Sequence, residues 1–169
     1  MNWKGHKYAI EAVKILKTKY PNLVLHFYGI GAYEDELKSM IKSNHLSFNV
    51  KLQGFTRNIN EKYTEYDIVL IPSIMEPFGM VFLEAFNHNK PVVAFDLPAG
   101  NEIIRHGYNG RLAKPYSSES LAEEIDFLIQ HPKQREEIIF NAKKELQEKY
   151  SIQKMAASYI SFYQKILSN

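Results

Sequence analysis

The sequence contains no cysteine, so disulfide bonds and thiolate chemistry are excluded and a reducing compartment is compatible with the chain. Long hydrophobic runs are also lacking. The longest ones, such as Ile68–Ile71, have the length of a strand, whereas about 20 apolar residues are needed to cross a bilayer. Residues 1–6 lack the apolar core of a signal peptide. We therefore expect a cytoplasmic protein, with peripheral attachment at the inner membrane face as the alternative in a full-length protein.

The chain does not carry a large charge of one sign. Its 21 Lys and Arg are interspersed with 19 Asp and Glu, which gives a formal charge of +2, and no nucleic-acid partner is expected from such a balance. The six histidines are isolated and no Asp-x-Asp sequence occurs, so we expect no metal and no cofactor. With 169 residues, of which 45% are hydrophobic and 24% charged, the chain is typical of one globular domain.

Hydrophobic periodicity alternates between helical and strand spacing. Helices are predicted at residues 6–19, 33–44, 58–65, 79–87 and 101–106, and strands at 23–28, 50–53, 67–71, 91–95 and 111–113. The rest is predicted to be helical, with Ser117 or Ser118 capping a first helix and two more at 133–148 and 152–167. Short strands that alternate with helices predict an α/β fold with a parallel sheet and helices on both faces.

Ligands of such sheets bind at the carboxyl ends of the strands. The most informative motif there reads Glu76-Pro-Phe-Gly-Met-Val-Phe-Leu-Glu84. Between its two carboxylates, the amides of Gly79, Met80 and Val81 stand at a helix N-terminus, which favours anions. A phosphate seated there would have a carboxylate beside each of its substituents, as suits a diphosphate between a sugar and a ribose. The alternative is an ordinary helix start with an exposed Glu84.

Weaker motifs stand at other strand ends. Residues 29–31, Gly-Ile-Gly, let the backbone approach a ligand or simply form a tight turn. Gly54 precedes Phe55, which could flank a nucleobase, but the pair alone favours a loop glycine before a buried phenylalanine. Lys4, just before the first helix, could neutralise a phosphate. Asn101 is predicted to cap a helix rather than to face a ligand.

Other nucleotide and hydrolase chemistries are poorly supported. Glu34 stands where the dinucleotide fingerprint needs a glycine. The sequence contains neither a Gly-x-Ser-x-Gly elbow nor a P-loop. A receiver domain would need clustered acids directly after its first strand, and none are visible in residues 29–33.

The ordered set of motifs resembles the C-terminal, donor-binding domain of the retaining glycosyltransferases of the glycogen-synthase and sucrose-synthase type, which have the GT-B fold. The resemblance extends over nearly the whole chain and includes Lys4-Gly5, Tyr28–Gly31, Gln53–Phe55, Asp67–Ser73, the Glu-x7-Glu segment 76–84, Lys90–Ala94 and Asn109-Gly110. It implies a Rossmann-like half of a GT-B fold, a UDP- or GDP-sugar donor, and metal-independent transfer with retention of configuration.

The resemblance also implies roles for individual residues. Glu76 would hold hydroxyls of the donor sugar, Glu84 would hold those of the ribose, and Lys4 would neutralise the leaving diphosphate, so that Glu76 and Lys4 form the catalytic set. Donor binding is assigned to Gly29, Gly31, Gly54, Phe55, Phe78, Gly79, Met80, Val81 and Glu84.

The chain departs from the family pattern in two ways. Only three residues precede Lys4, where the family has a central strand that ends in Gly-Arg, and the N-terminal acceptor domain is missing. We expect a donor domain at residues 1–150 and, at 151–169, a helix that packs toward the missing domain. The missing strand would expose two sheet edges, to be closed by rearrangement of the sheet or by another chain, for example through self-association.

These departures leave several interpretations open. The chain could be a piece of a longer protein, an interrupted reading frame or one subunit of a split enzyme. The predicted function is that of a glycosyltransferase donor domain that acts on a glycan or lipid-linked acceptor and is inactive alone. The alternatives are a non-catalytic nucleotide-sugar-binding module and a domain related to sugar-nucleotide epimerases.

Overall fold

The computed structural model, which describes residues 3–168, has the predicted alternation of helices and strands. The strands are β1 (Leu25–Tyr28), β2 (Val50–Gly54), β3 (Val69–Ile71), β4 (Val92–Phe95) and β5 (Arg111–Ala113). The helices are α1 (His6–Leu16), α2 (Glu34–Ser43), α3 (Ile59–Lys62), α4 (Met80–Asn87), α5 (Pro98–Ile103), α6 (Ser118–Gln130), α7 (Pro132–Lys149) and α8 (Ile152–Leu167). A 3-10 turn, Tyr63–Glu65, follows α3.

Two predicted helix starts had different outcomes. The Ser117 cap of α6 is confirmed, because its side chain accepts a hydrogen bond of 3.0 Å from the amide of Ser120. The cap at Asn101 is wrong. Pro98 begins α5, which suits a residue without an N–H group, so Asn101 lies inside the helix and its Nδ2 donates to Asp96 Oδ1 at 3.1 Å.

All strand pairs are parallel, and helices cover both faces, as the α/β prediction requires. Strand β4 shows the arrangement most clearly, since all four of its residues are buried. Val92 and Ala94 point into a core with residues of α4 and α7, whereas Val93 and Phe95 point into a second core with residues of α1 and α6. This alternation is the two-residue period of a strand buried on both faces.

The strands form two sheets and not one. Strand β1 pairs with β2, and β3 pairs with β4, which pairs with β5. A groove of about 370 Å³ separates β1 from β3 and is lined by residues of both. Within residues 3–168, rearrangement of the sheet therefore does not close the gap that the sequence predicted.

Among the described residues, each of the two strands beside the groove keeps one edge unpaired. The amide of Leu25 bonds to Asn49 of the β2 side, and the amide of Val69 bonds to Pro91 of the β4 side. Because backbone groups alternate direction along a parallel strand, those of His26 in β1 and Leu70 in β3 face the groove. The groove thus has hydrogen-bonding groups on both walls.

Helix α8 is exposed along its whole length, residues 152–167. Its apolar side chains include Ile152, Tyr159, Ile160 and Tyr163, which are each more than half exposed. The expectation that it packs toward a further domain remains a prediction. In residues 3–168 we find no helix with the length and apolar character needed to cross a membrane.

Asp126 of α6 accepts hydrogen bonds from Lys19 and Tyr20, which follow α1, and this contact makes the stability of the fold depend on pH. Burial raises the pKa of this carboxyl, but hydrogen bonds from Lys19, Tyr20 and Gln130 outweigh burial and lower the pKa from 3.8 to about 2. Because the pKa is depressed in the folded state, the stabilisation is present above about pH 4 and is lost as the pH falls through about 2. We expect Asp126→Asn to lower the free energy of unfolding at pH 7 by up to about 1 kcal/mol. Urea denaturation should show the difference from the unaltered chain narrowing between pH 4 and pH 2; a constant difference would contradict this assignment.

Candidate functional site

The structure brings Lys4 and Glu76 into contact although 72 residues separate them. The segment before α1 is fixed against the loop after β3, because the amide of Ile74 donates to the carbonyl of Trp3 at 2.7 Å. Lys4 Nζ then lies 2.7 Å from Glu76 Oε2. The Lys4 side chain is 55% exposed, so this pair adds little to stability. Its importance is that it places a cation and a carboxylate, both predicted as catalytic, at one point.

The N-terminus of α4 begins immediately beyond this pair. Gly79 precedes the helix with φ of +84°, and within residues 3–168 no side-chain hydrogen bond caps the first turn. A Cβ atom on Gly79 would lie 2.5 Å from the ring of Phe82 and 3.2 Å from Cγ of Glu76. The amides of Met80 and Val81 belong to the first turn, where a helix leaves N–H groups without partners. This uncapped end can hold an anion.

Glu84 lies one turn further into α4 and faces the same space. It accepts a hydrogen bond of 3.1 Å from the hydroxyl of Tyr63. The groove between β1 and β3 opens here, and its lining includes Lys4, Tyr63, Glu76, Val81 and Glu84. Both carboxylates of the Glu-x7-Glu motif and the predicted lysine therefore border one cavity.

A second cavity, of about 520 Å³, adjoins the first at Lys4. Gly29 and Gly31 line it together with Trp3 and His6. These glycines thus lie in the same cavity as Lys4, and their contact with a ligand stays a prediction.

Gly54 and Phe55 lie at the end of β2, and the carbonyl of Gly54 accepts a hydrogen bond of 2.8 Å from Gly29. Phe55 is 68% exposed, so the favoured interpretation of this pair, a loop glycine before a buried phenylalanine, is wrong. Neither residue belongs to the lining of the two cavities described above. Phe55 remains available for contact with a bound base.

Phe78 is close to the end of α7. Its ring is 6.4 Å from that of Tyr150, in an edge-to-face arrangement, and it remains 43% exposed. A third cavity, of about 230 Å³, lies on the other side of Glu76, between the ends of β3 and β4. Its lining includes Ser73 and Gly100. Glu76 therefore stands between two cavities.

Burial sets the protonation state of two groups in these cavities. Burial, and then the charge of Lys4, lower the pKa of His6 below 6.5, so its imidazole is neutral at pH 7. Burial, and then the charge and hydrogen bond of Glu84, raise the pKa of the Tyr63 hydroxyl well above its ordinary value. Among residues 3–168, no group of three His, Asp or Glu side chains is arranged to hold a metal ion.

A family model for group 1 glycosyl transferases matches residues 1–145. The chain belongs to this family. The match ends within α7, so it includes every predicted site residue of this glycosyltransferase domain and leaves out α8.

Individual relatives agree with this assignment. An uncharacterized glycosyltransferase of Methanocaldococcus jannaschii is 35% identical over 95% of this chain. The crystal structure of Anabaena HepE in complex with UDP-glucose is 30% identical, with a TM-score of 0.86 over 95% of this chain and 46% of that one. The C-terminal domain of a group 1 glycosyl transferase of Francisella tularensis, LpcC, is 31% identical, with a TM-score of 0.81 over 90% of this chain and 82% of that one.

The chain spans only part of its relatives. It covers 41% of the Methanocaldococcus jannaschii protein, and between 31% and 37% of the next three curated relatives. The activity, substrates and partners of a whole protein are therefore considered below as proposals.

Sequence reasoning missed several side chains that line the site. Tyr63, Trp3 and His6 border the cavities, but none of them belongs to a motif with recognisable spacing. Tyr63 was predicted only as part of a short helix, and 21 residues separate it from Glu84. Such contacts depend on how loops fold back on the sheet, which periodicity does not reveal.

Proposed function

We propose that this domain binds a nucleoside-diphosphate-sugar as the donor half of a retaining glycosyltransferase. The single observation that carries the proposal is the shared cavity of Lys4, Glu76 and Glu84 beside the uncapped N-terminus of α4. A diphosphate fits the cation and the helix end, while each carboxylate accepts hydroxyl donors on one side of it. UDP is the first candidate nucleotide, because solved relatives hold UDP or UDP-glucose.

The residues of this chain would promote departure of the diphosphate. As the bond between the anomeric carbon and the phosphate oxygen breaks, negative charge grows on the phosphate. Lys4 and the amides of Met80 and Val81 would stabilise that charge, and each 1.4 kcal/mol or so of stabilisation raises the rate about tenfold. Glu76 would orient the sugar, and the acceptor hydroxyl would attack the face from which the phosphate leaves, giving up its proton to that phosphate. No step in this scheme requires a metal ion.

A second candidate is a module that binds a nucleotide-sugar without transferring it. Transfer of a sugar to a glycan or lipid-linked acceptor would then require an N-terminal acceptor domain, with which the exposed α8 would pack.

Calorimetric titration of the 169-residue chain tests the proposal. The ligands are UDP, GDP and ADP and their glucose, N-acetylhexosamine and mannose conjugates, with EDTA present to remove metal ions. We expect one nucleotide class to bind with a Kd in the micromolar to millimolar range. Chromatography then shows whether sugar is released from the bound conjugate. Release indicates a catalytic domain, and its absence indicates a binding module. Failure of every nucleotide to bind would contradict a preformed donor site in this chain.

We also propose that the stretch of the groove between His26 of β1 and Leu70 of β3, away from the donor site at its open end, associates with a strand of another polypeptide. Its two unpaired edges support this, because exposed strand edges readily recruit further strands. We expect the purified chain to self-associate as its concentration rises, as measured by light scattering during size exclusion.

The variant His26→Pro is compared with His26→Ala, because both lose the imidazole that bonds to Tyr66. Only the proline also lacks the N–H group that faces the groove. We expect weaker association with circular dichroism unaltered. A chain that stays monomeric at high concentration would argue against pairing through these edges.

A further inference from the structure

Tyr63 is a buried side chain whose hydroxyl reaches the candidate site. It begins the 3-10 turn that follows α3 in the chain. Only 8% of its surface is exposed, and it packs in a core that includes Phe82 and Phe86 of α4. Its hydroxyl lies 3.1 Å from Glu84 Oε2. A carboxylate can only accept, so the phenol is the donor.

The Tyr63 ring is fixed from a second side. The imidazole of His88, just beyond α4, stacks on it with ring centroids 4.8 Å apart and an interplanar angle of 3°. His88 Nε2 lies 3.3 Å from Asn60 Oδ1 of α3. Because burial and Glu84 keep the pKa of the phenol well above its ordinary value, Tyr63 remains a donor at neutral and mildly alkaline pH.

These contacts leave Glu84 with one oxygen occupied and one available. Among residues 3–168, Glu84 forms no salt bridge, and its Oε1 accepts no hydrogen bond from a side chain. A Glu side chain has several rotamers, and holding it in one of them costs entropy. The hydrogen bond from Tyr63 fixes the plane of the carboxylate, so this entropy is already lost before a ligand binds.

We propose that Tyr63 is a positioning residue that orients Glu84 toward the ribose hydroxyls of the bound nucleotide. It thereby contributes to the selection of ribonucleotides over 2′-deoxyribonucleotides. This inference rests on the proposed function, because it assumes that the cavity beside Glu84 receives the ribose. Tyr63 lies outside the Glu-x7-Glu motif, and we expect its substitution to affect recognition of the ribose alone.

The test compares UDP with 2′-deoxy-UDP by calorimetry on the unaltered chain and on Tyr63→Phe. We expect the variant to bind UDP about 2- to 12-fold more weakly, the equivalent of one hydrogen bond, while its affinity for 2′-deoxy-UDP changes less, because only the 3′-hydroxyl is left to bond to Glu84. The preference for the ribonucleotide should therefore shrink. Tyr20→Phe is the matched control, because Tyr20 also donates to a carboxylate, that of Asp126, outside the site. It should keep both affinities.

A double-mutant cycle separates positioning from packing. If Tyr63 acts through Glu84, Tyr63→Phe should have little further effect on UDP binding in the Glu84→Ala background. Equal weakening of both nucleotides, or an unchanged preference, would overturn the inference while leaving the proposed function in place. If the unaltered chain bound no nucleotide at all, the proposed function would fail first, and this inference with it.

Discussion

Glu84→Ala is expected to weaken binding of free UDP by about 1–3 kcal/mol, or roughly 5- to 150-fold in Kd. The reason is the loss of charge-assisted hydrogen bonds from the ribose hydroxyls to a carboxylate that Tyr63 already holds in place. The same change should weaken UDP-sugars to the same degree, because the ribose is common to both ligands. Calorimetry with UDP and UDP-glucose measures both values.

Glu76→Ala is the matched comparison, since it removes a second carboxylate from the same cavity. Binding of free UDP should be retained or strengthened, because the change releases Lys4 Nζ from its contact with Glu76 and leaves it free for the diphosphate. Binding of UDP-glucose should fall. If the two variants lost UDP and UDP-glucose affinity in parallel, the separate roles assigned to the carboxylates would be refuted.

Gly5→Ala is expected to lower the free energy of unfolding by about 2–5 kcal/mol, the sum of a left-handed backbone penalty and a steric clash. Gly5 has φ of +65°, and a Cβ atom there would lie 1.8 Å from the carbonyl oxygen of Pro72. The chain can relieve that clash only by moving the start of α1 away from β3. Such a movement would also draw Lys4 away from Glu76, so nucleotide affinity should decrease with stability.

Denaturant titration measures the free energy of unfolding of Gly5→Ala and of its control, Gly31→Ala. Gly31 does not have a positive φ, and no atom lies within 4 Å of an added Cβ. Its substitution should therefore change stability by no more than about 0.5 kcal/mol. A loss below about 1 kcal/mol for Gly5→Ala would mean that the segment before α1 adjusts freely, and that Gly5 is not needed to place Lys4.

The elements with regular periodicity were predicted best. Strands 50–53 and 91–95 and the helix at 133–148 match β2, β4 and α7 to within a residue or two. Each of these elements packs against the same surroundings over its whole length. Its buried apolar residues therefore recur at a regular spacing that is visible in the sequence. The predicted helix at 101–106 was displaced, because Pro98 allows α5 to begin earlier than its apolar residues indicate.

The chemistry of the site was visible in part. The spacing of Glu76 and Glu84 predicted two carboxylates around a helix N-terminus because both lie within one short segment, where local geometry relates sequence to position. Lys4 had no such local context. Its position before a helix was a weak indication, and its predicted catalytic role came from the family resemblance. Its contact with Glu76 depends on the hydrogen bond between Trp3 and Ile74.

The α/β class, the family and the segments that carry the predicted site residues could be inferred from the sequence, because helical and strand periods and short motifs are local properties of the chain. The arrangement of the strands in two sheets with a groove between β1 and β3, and the hydrogen bond from Tyr63 to Glu84, became evident only in the folded chain. Both depend on contacts between residues far apart along the chain. Such contacts arise when separate elements pack together, and no local pattern in the sequence encodes them.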